Sequence, residues 1–337
     1  MAGRRGGPRL IVSAGDPAGI GPEVTLKALA RPEVRALAEI AVAGDPAHLR
    51  RTAALLGLPA PERVEPAGDA GAVRPGELSA AGGAAAVAAV VRAVELVRAG
   101  TYDGLVTGPI NKEALRLAGF AWAGHTELLA ELAGVADVRM LLVSDRLRVV
   151  HVTTHRSLRG AIEAATRDRV VRTIELGAEG LRRLGVERPR IAVAGLNPHA
   201  GEGGLFGGEE AREILPAVEA ARAAGIDASG PWPPDTVFWR ATRGEFDLVV
   251  AMYHDQGHIP MKLAGLDEGV NVTLGLPFPR SSVDHGTAFD IAGRGVARWQ
   301  GMAAAIRVGA GLALAGQAAS RRPATLTPDR PRRRSHE

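Results

Sequence analysis

RLIVSAGDPAGIGPE, residues 9–23, decides the fold. The apolar run up to Ala14 is bounded by Gly15, which gives it the length and flanks of a buried strand. Gly15, Gly19 and Gly21 permit a tight turn with close backbone approach, and Pro22 suits the first turn of a helix. A helical pattern follows from about Val24 to Ala30. The glycine spacing does not fit G-x-G-x-x-G, so this is not the dinucleotide fingerprint. The same unit recurs outward. Ile40–Ala43 is a second strand, residues 79–98 a long Ala/Val helix, and Gly104–Val106 a third strand running into TGPINK, residues 107–112. This alternation predicts an α/β fold, mainly parallel, with helices on both faces. Ligands of such sheets collect at the carboxyl ends of the strands, where GDPAGIGPE and TGPINK both fall. Asn111 and Lys112 there suit an anion, or a helix cap and its solvated neighbour.

Composition narrows the function. The 337 residues are 46% apolar and 23% charged, an ordinary globular balance, with only 4% aromatics, so Ala, Val and Leu must fill the core. The absence of cysteine excludes disulfides and thiolate metal sites and leaves any metal to His and carboxylates. No uninterrupted apolar run reaches the ~20 residues of a membrane span. MAGRRGGPRL carries no apolar stretch of signal-peptide length, so a cytoplasmic location is expected. The net charge of +4 is matched by residues 321–337 alone, where six Arg face Asp329 and Glu337. The near-neutral body argues against a nucleic-acid partner. The ends, 1–8 and 319–337, read as disordered tails.

The chemistry is concentrated in YHDQGHIPMK (253–262), GVNVTLGLPFPR (269–280) and SSVDHGTAFDIAG (281–293). Three His each follow an apolar strand. His155 lies just past the paired strands Val138–Val143 and Leu147–Thr153, His199 is in the loop after Ile191–Ala194, and His254 follows Leu248–Met252. In an α/β sheet that places all three on one edge. Three imidazoles with an open position suit one catalytic divalent metal, Zn, Co, Mn or Mg, and Asp255 is placed to orient His254. Gly124-His125-Thr126-Glu127 opens a helix whose first N–H groups favour an anion. Lys262, Asn271 and Arg280 form a carboxylate and phosphate clamp. Asp235, in WPPDTVF, can cap a helix or act as a base. A closing helix is expected over Arg298–Ala315.

With GDPAGIGPE, TGPINK, GHTE, LNPHAGEGG, YHDQGHIPMK, GVNVTLGLP and DHGTAFDIAG in one order, the chain from about Leu10 to Ala315 resembles the 4-hydroxythreonine-4-phosphate dehydrogenase family of vitamin B6 synthesis. The resemblance implies a two-domain fold like that of the isocitrate and isopropylmalate dehydrogenases, with the active site in the interdomain cleft. The domains would be 9–120 plus 275–318, and 121–274. It implies a homodimer in which His155 and His199 of one subunit hold the metal and His254 reaches across to complete the partner's site. Substrate contacts fall on His125, Thr126, Lys262, Asn271 and Arg280, with Lys262 and Asp235 as catalytic candidates. NAD, rather than NADP, would lie along His285, Gly286, Thr287, Ala288 and Asp290. The reaction implied is oxidation and decarboxylation of a four-carbon 4-phosphorylated 3-hydroxy acid.

One feature separates two substrates. The GHIP form at residues 257–260 is similar to a sister group acting on 4-phospho-D-threonate or 4-phospho-D-erythronate to give dihydroxyacetone phosphate. A further relative acts on a dihydrodiol of terephthalate. A metal hydrolase or aldolase would use the three His and leave the 285–290 loop idle.

Overall fold

Leu10, Ile11 and Val12 are fully buried, because the strand that carries them, β1 (Arg9–Ser13), is flanked on both sides. It pairs parallel with β2 (Glu39–Gly44) and with β4 (Gly104–Thr107). Alternate side chains go to opposite faces. Leu10 and Val12 join the core built with Ile306 and Ala310, while Ile11 packs with Val90 and Val94. The computed structural model describes residues 7–122, 124–265 and 269–321. Of the expected tails, 1–6 and 322–337 lie outside the described residues, and 319–321 continue the last helix.

The other strands are β3 (Val64–Pro66), β5 (Arg139–Val143), β6 (Arg148–His151), β7 (Ile191–Ala194), β8 (Ala228–Trp232), β9 (Leu248–Ala251), β10 (Val270–Leu274) and β11 (Arg280–Val283). The helices are α1 (Gly21–Leu29), α2 (Pro32–Arg35), α3 (Pro46–Leu56), α4 (Ala80–Arg98), α5 (Lys112–Leu117) and α6 (His125–Ala133). They continue as α7 (Leu158–Ala164), α8 (Arg167–Arg183), α9 (Leu215–Ala223), α10 (Pro234–Thr242), α11 (His254–Gly265) and α12 (Gln300–Arg321). The α1 helix starts before the expected Val24 because Pro22 already sits in its first turn. Gly15 has φ +80, and a Cβ there would stand 2.4 Å from the Pro109 oxygen. Only glycine lets the turn after β1 pack on the turn after β4.

The strands form one eleven-stranded sheet in the order β3-β2-β1-β4-β11-β10-β5-β6-β9-β7-β8. Strands from residues 9–107 and 280–283 occupy one half, and those from 139–274 the other. Pairing is parallel except at β11/β10, β10/β5 and β5/β6. Three reversals in a row have a consequence. Register puts Thr107, Val283, Val270, Val143 and Arg148 along one edge. His151, Ala251 and Val193 lie along the opposite edge. The carboxyl ends of β1 and β4 therefore point away from those of β6, β9 and β7.

Helices cover both faces. α4, capped by the Ser79 hydroxyl accepting from the Gly82 N–H at 3.1 Å, lies over β1, β2 and β4. Among the described residues it is the one helix long and apolar enough to cross a bilayer, with 19 residues and mean hydropathy 1.7. Its buried face, Ala86, Ala89, Val90 and Ala93, is part of the core. In the other half, Val150 and Val250 belong to the core on the α8 face, and Val149 and Val249 pack with Phe238 of α10 and Met261 of α11.

Candidate active site

The helix α11 links the two edges of the sheet. It begins at His254, directly after β9, and ends with Gly265 against Ser144, at the far edge. Lys262, eight residues on from His254 and so about 12 Å along the axis, reaches Asp284, the first residue past β11. Beside α11, where strand direction reverses, is a cavity of about 470 Å³. It gathers Lys112, His125, Thr126, His155, His254, Lys262, Asn271, Arg280 and His285 from among the residues singled out in the sequence, and adds Glu127, His258 and Asp284.

Arg280 is the most deeply buried cation of the cavity lining. It is 2% exposed, and its Nη atoms donate to Thr273 Oγ1 at 2.8 Å and Thr107 Oγ1 at 2.6 Å. Its Nε has no partner, and it forms no ion pair among the described residues. Burial pushes the guanidinium down to about 9. His125, at the first turn of α6, has Nε2 sealed from solvent without a partner. Burial, and then the charge of Arg280, hold its imidazole well below the usual range, against a bond with the Gly108 backbone. A buried cation, an unsatisfied imidazole and the N–H groups of a helix start converge on one space. That arrangement has the chemistry suited to an anion. Asn111 resolves as a cap, its Oδ1 accepting from the Glu113 and Ala114 N–H groups, while Lys112 lines the cavity.

The imidazoles form a row. His155 stands 5.8 Å from His254, ring centre to ring centre, and His254 stacks on His258 at 3.6 Å. His258 lies 4.6 Å from His151. Burial lowers the His155 pKa, helped by the charge of Lys112 and opposed by that of Glu127, which favours the neutral ring. His254 Nδ1 is 2.7 Å from Asp255 Oδ1, the contact expected of an orienting carboxylate. His155 has φ 49, a left-handed backbone rare outside glycine and common at functional positions. His151 was not singled out in the sequence. It ends the apolar strand RVVH with no loop signal, is 1% exposed, and its Nε2 meets no partner.

Some expected residues lie elsewhere. His199, also left-handed at φ 53, is in the loop after β7 that packs on α10 and β8, with its ring 6.2 Å from Phe206. Asp235 is exposed in the first turn of that same α10. Neither lines the cavity. Within one chain the adjoining pair is thus His155 and His254, not the expected His155 and His199. The physical reason is that β6 and β9 are direct neighbours, while the β7 loop folds toward β8. Among the described residues of one chain, no three His or carboxylate groups come together to hold a metal. Of the loop expected to bind a nucleotide, His285 and Gly286 are exposed and Asp290 is exposed in a turn. Thr287 is buried against Gly19, its carbonyl accepting from the Ile20 N–H at 2.9 Å, and Ala288 has φ 43. The GDPAGIGPE turn is therefore the floor of the 285–290 loop.

Fold and cavity together define an α/β protein with a cation-lined cavity set where its sheet reverses direction. Residues 35–309 match the family described as pyridoxal phosphate biosynthetic protein PdxA, and the chain belongs to that family. It is 53% identical over 306 residues to a 4-hydroxythreonine-4-phosphate dehydrogenase of Beijerinckia indica, covering 86% of this chain and 90% of that one. It is 51% identical over 324 residues to a D-threonate 4-phosphate dehydrogenase of Cupriavidus necator, covering 91% and 97%. The crystal structure of a 4-hydroxythreonine-4-phosphate dehydrogenase from Klebsiella pneumoniae matches at TM-score 0.83 and 47% identity, covering 91% and 98%. In fold alone the likeness extends, at 16% identity and TM-score 0.50, to a β-decarboxylating dehydrogenase of Thermococcus kodakarensis. These relatives are dehydrogenases.

Proposed function

We propose that this chain is an NAD-linked, metal-dependent dehydrogenase of the 4-hydroxythreonine-4-phosphate type. It would oxidise the 3-hydroxyl of a four-carbon 4-phosphorylated acid and release the carboxyl group as CO₂. The observation that carries this reading is Arg280, buried with two hydroxyl partners and no carboxylate. A substrate with an anion at each end supplies the missing charge. Arg280, Thr126, Asn271 and the α6 N-terminus hold those anionic ends, so that the carbinol carbon sits between the His pair and the 285–290 loop. Lys262 Nζ is the cation placed to carry a proton to the carbon left when CO₂ departs.

The nitrogen donors His155 and His254 fit a divalent metal, with His199 supplied by a second copy of the chain as the third. When bound, that metal would lower the pKa of the substrate hydroxyl and NAD would accept the hydride. Asp290 suits a free ribose 2′-hydroxyl and repels a 2′-phosphate, which favours NAD over NADP. The homodimer this requires has apolar surface to use. Leu205 and Phe206 beside His199 are 73% and 48% exposed, and Leu263 on α11 is 83% exposed. Asp235, on the element that holds the His199 loop, would arrive with it as a candidate base. The halves 9–120 plus 275–318, and 121–274, would be the two domains, with the cavity in the cleft between them.

The same geometry serves 4-phospho-D-threonate, and the GHIP segment and the Cupriavidus necator relative favour that second reading. The deciding measurement is NADH formation with a divalent metal, comparing 4-phosphohydroxy-L-threonine with 4-phospho-D-threonate and 4-phospho-D-erythronate. Turnover of the amino acid supports the first reading, and turnover of the sugar acids alone replaces it with the second. No NADH from any of them removes both. Subunit mixing tests the shared site. If His155 and His254 act from one subunit, mixing His155→Ala with His199→Ala protein restores activity and mixing His155→Ala with His254→Ala does not. The reverse pattern would return His254 to the partner's side.

A further inference from the structure

Lys262 does not stand free in the cavity wall. Its Nζ pairs with Asp284 Oδ2 and also donates to the Asp284 backbone oxygen at 3.3 Å. One residue thus supplies both acceptors. The Asp284 side chain is 20% exposed and makes no other hydrogen bond or ion pair among the described residues. It sits at the end of β11, the strand whose opposite end carries Arg280, so its place is fixed by the sheet. Gly269 adjoins it, where a Cβ would stand 3.3 Å from Oδ2.

The surroundings make this pairing matter. Besides Lys262 the cavity is lined by the cations Lys112 and Arg280 and by several imidazoles, with Glu127 the other carboxylate. Like charges would drive an unpaired ammonium outward on its flexible four-carbon stem. We propose that Asp284 is a positioning residue for Lys262. Its carboxylate and carbonyl set where the ammonium stands, and so set the geometry in which Lys262 carries its proton. This rests on the proton-carrying role given to Lys262 above.

The test compares Asp284→Ala, Asp284→Asn and Lys262→Ala, singly and combined, in the metal-loaded full chain. Asp284→Ala should lower kcat by about tenfold or more while KM stays within about threefold, as for loss of an oriented proton carrier. Asp284→Asn keeps an accepting oxygen and should fall between wild type and Asp284→Ala, which covers the case of an Ala variant that folds poorly. In the Lys262→Ala background, Asp284→Ala should add no further loss. Losses that multiply, or a change in KM alone, overturn the proposal.

A second readout does not depend on the reaction. Lys27, Lys112 and Lys262 are the three lysines of the chain, and Lys27 is held by Glu23, Gly295 and Ala297. Competitive acetylation, read by mass spectrometry against Lys27, should rise severalfold at Lys262 in Asp284→Ala. Unchanged labelling overturns the proposal. Altered labelling with no NADH from any of the three substrates would leave the positioning intact and remove the reaction.

Discussion

Replacing Arg280 by Met should stabilise the ligand-free protein and disable it in the same step. Burial holds the guanidinium at about 9 against an ordinary 12.5. At about 1.4 kcal/mol per pH unit, that displacement is about 5 kcal/mol of charging cost. A cation with a depressed pKa carries this cost in full below pH 9 and sheds it only as pH rises from about 9 toward 12.5, so a neutral buffer sees all of it. Met removes the charge and gives up the bonds to Thr273 and Thr107, about 1–2 kcal/mol each. The net gain is about 1–3 kcal/mol, a rise of a few degrees in Tm for a chain of this size. Function moves the other way. Deleting one partner of a buried charge pair costs about 2–5 kcal/mol, which lowers kcat/KM by about 30-fold to several thousandfold. The assays are thermal melting with and without inorganic phosphate, and NADH formation. The wild type should gain stability from phosphate and the variant should not. An Arg280→Met protein that melts below wild type without anion, or keeps kcat/KM within about threefold, would refute the reasoning.

Two further changes test the packing behind the site. Gly257 lies inside α11, where Ala ordinarily stabilises, but a Cβ there would meet His151 Nε2 at 2.3 Å and Val149 Cγ1 at 2.8 Å. Gly257→Ala should therefore cost about 1–3 kcal/mol, seen as a lower urea midpoint; a raised midpoint would mean α11 does not press on β6 as described. At the sheet's end, the hydrogen bond from Arg190 holds the Asp247 carboxyl below the usual range. Its contribution is present above the ordinary carboxylate pKa and lost as pH falls through the lowered one. The melting difference between wild type and Asp247→Asn should shrink as the medium is acidified, and a difference that grows would contradict it.

Much of the fold was legible because its signals are local. The apolar runs of β1, β2, β4, β7 and β9 are each bounded by glycine or polar residues, and Pro22 and Ser79 mark helix starts. The family was legible because seven motifs stand in one order across the chain. Some site residues gave no such signal. His151 is embedded in a strand, and Asp284 stands in a polar, glycine-containing run with nothing in its local sequence to mark its partner. Both owe their place to contacts between residues far apart in sequence, 22 positions for Asp284 with Lys262.

The sequence by itself determined the strand–turn–helix units, the loops that carry functional side chains, and a residue set suited to a metal and an anionic substrate. Strand direction across the sheet was decided only by the tertiary structure. Three successive antiparallel pairings send the carboxyl ends of β1 and β4 to one edge and those of β6, β7 and β9 to the other. The residues meet because α11 crosses between those edges, carrying His254 at one end and Lys262 toward the other. Which His adjoins which follows from strand order, with β6 beside β9 and the β7 loop turned toward β8. Hydrophobic periodicity within a segment fixes which face is buried, but it says nothing of a strand's neighbours. Those are settled by the hydrogen-bond ladders and cores that distant segments build together.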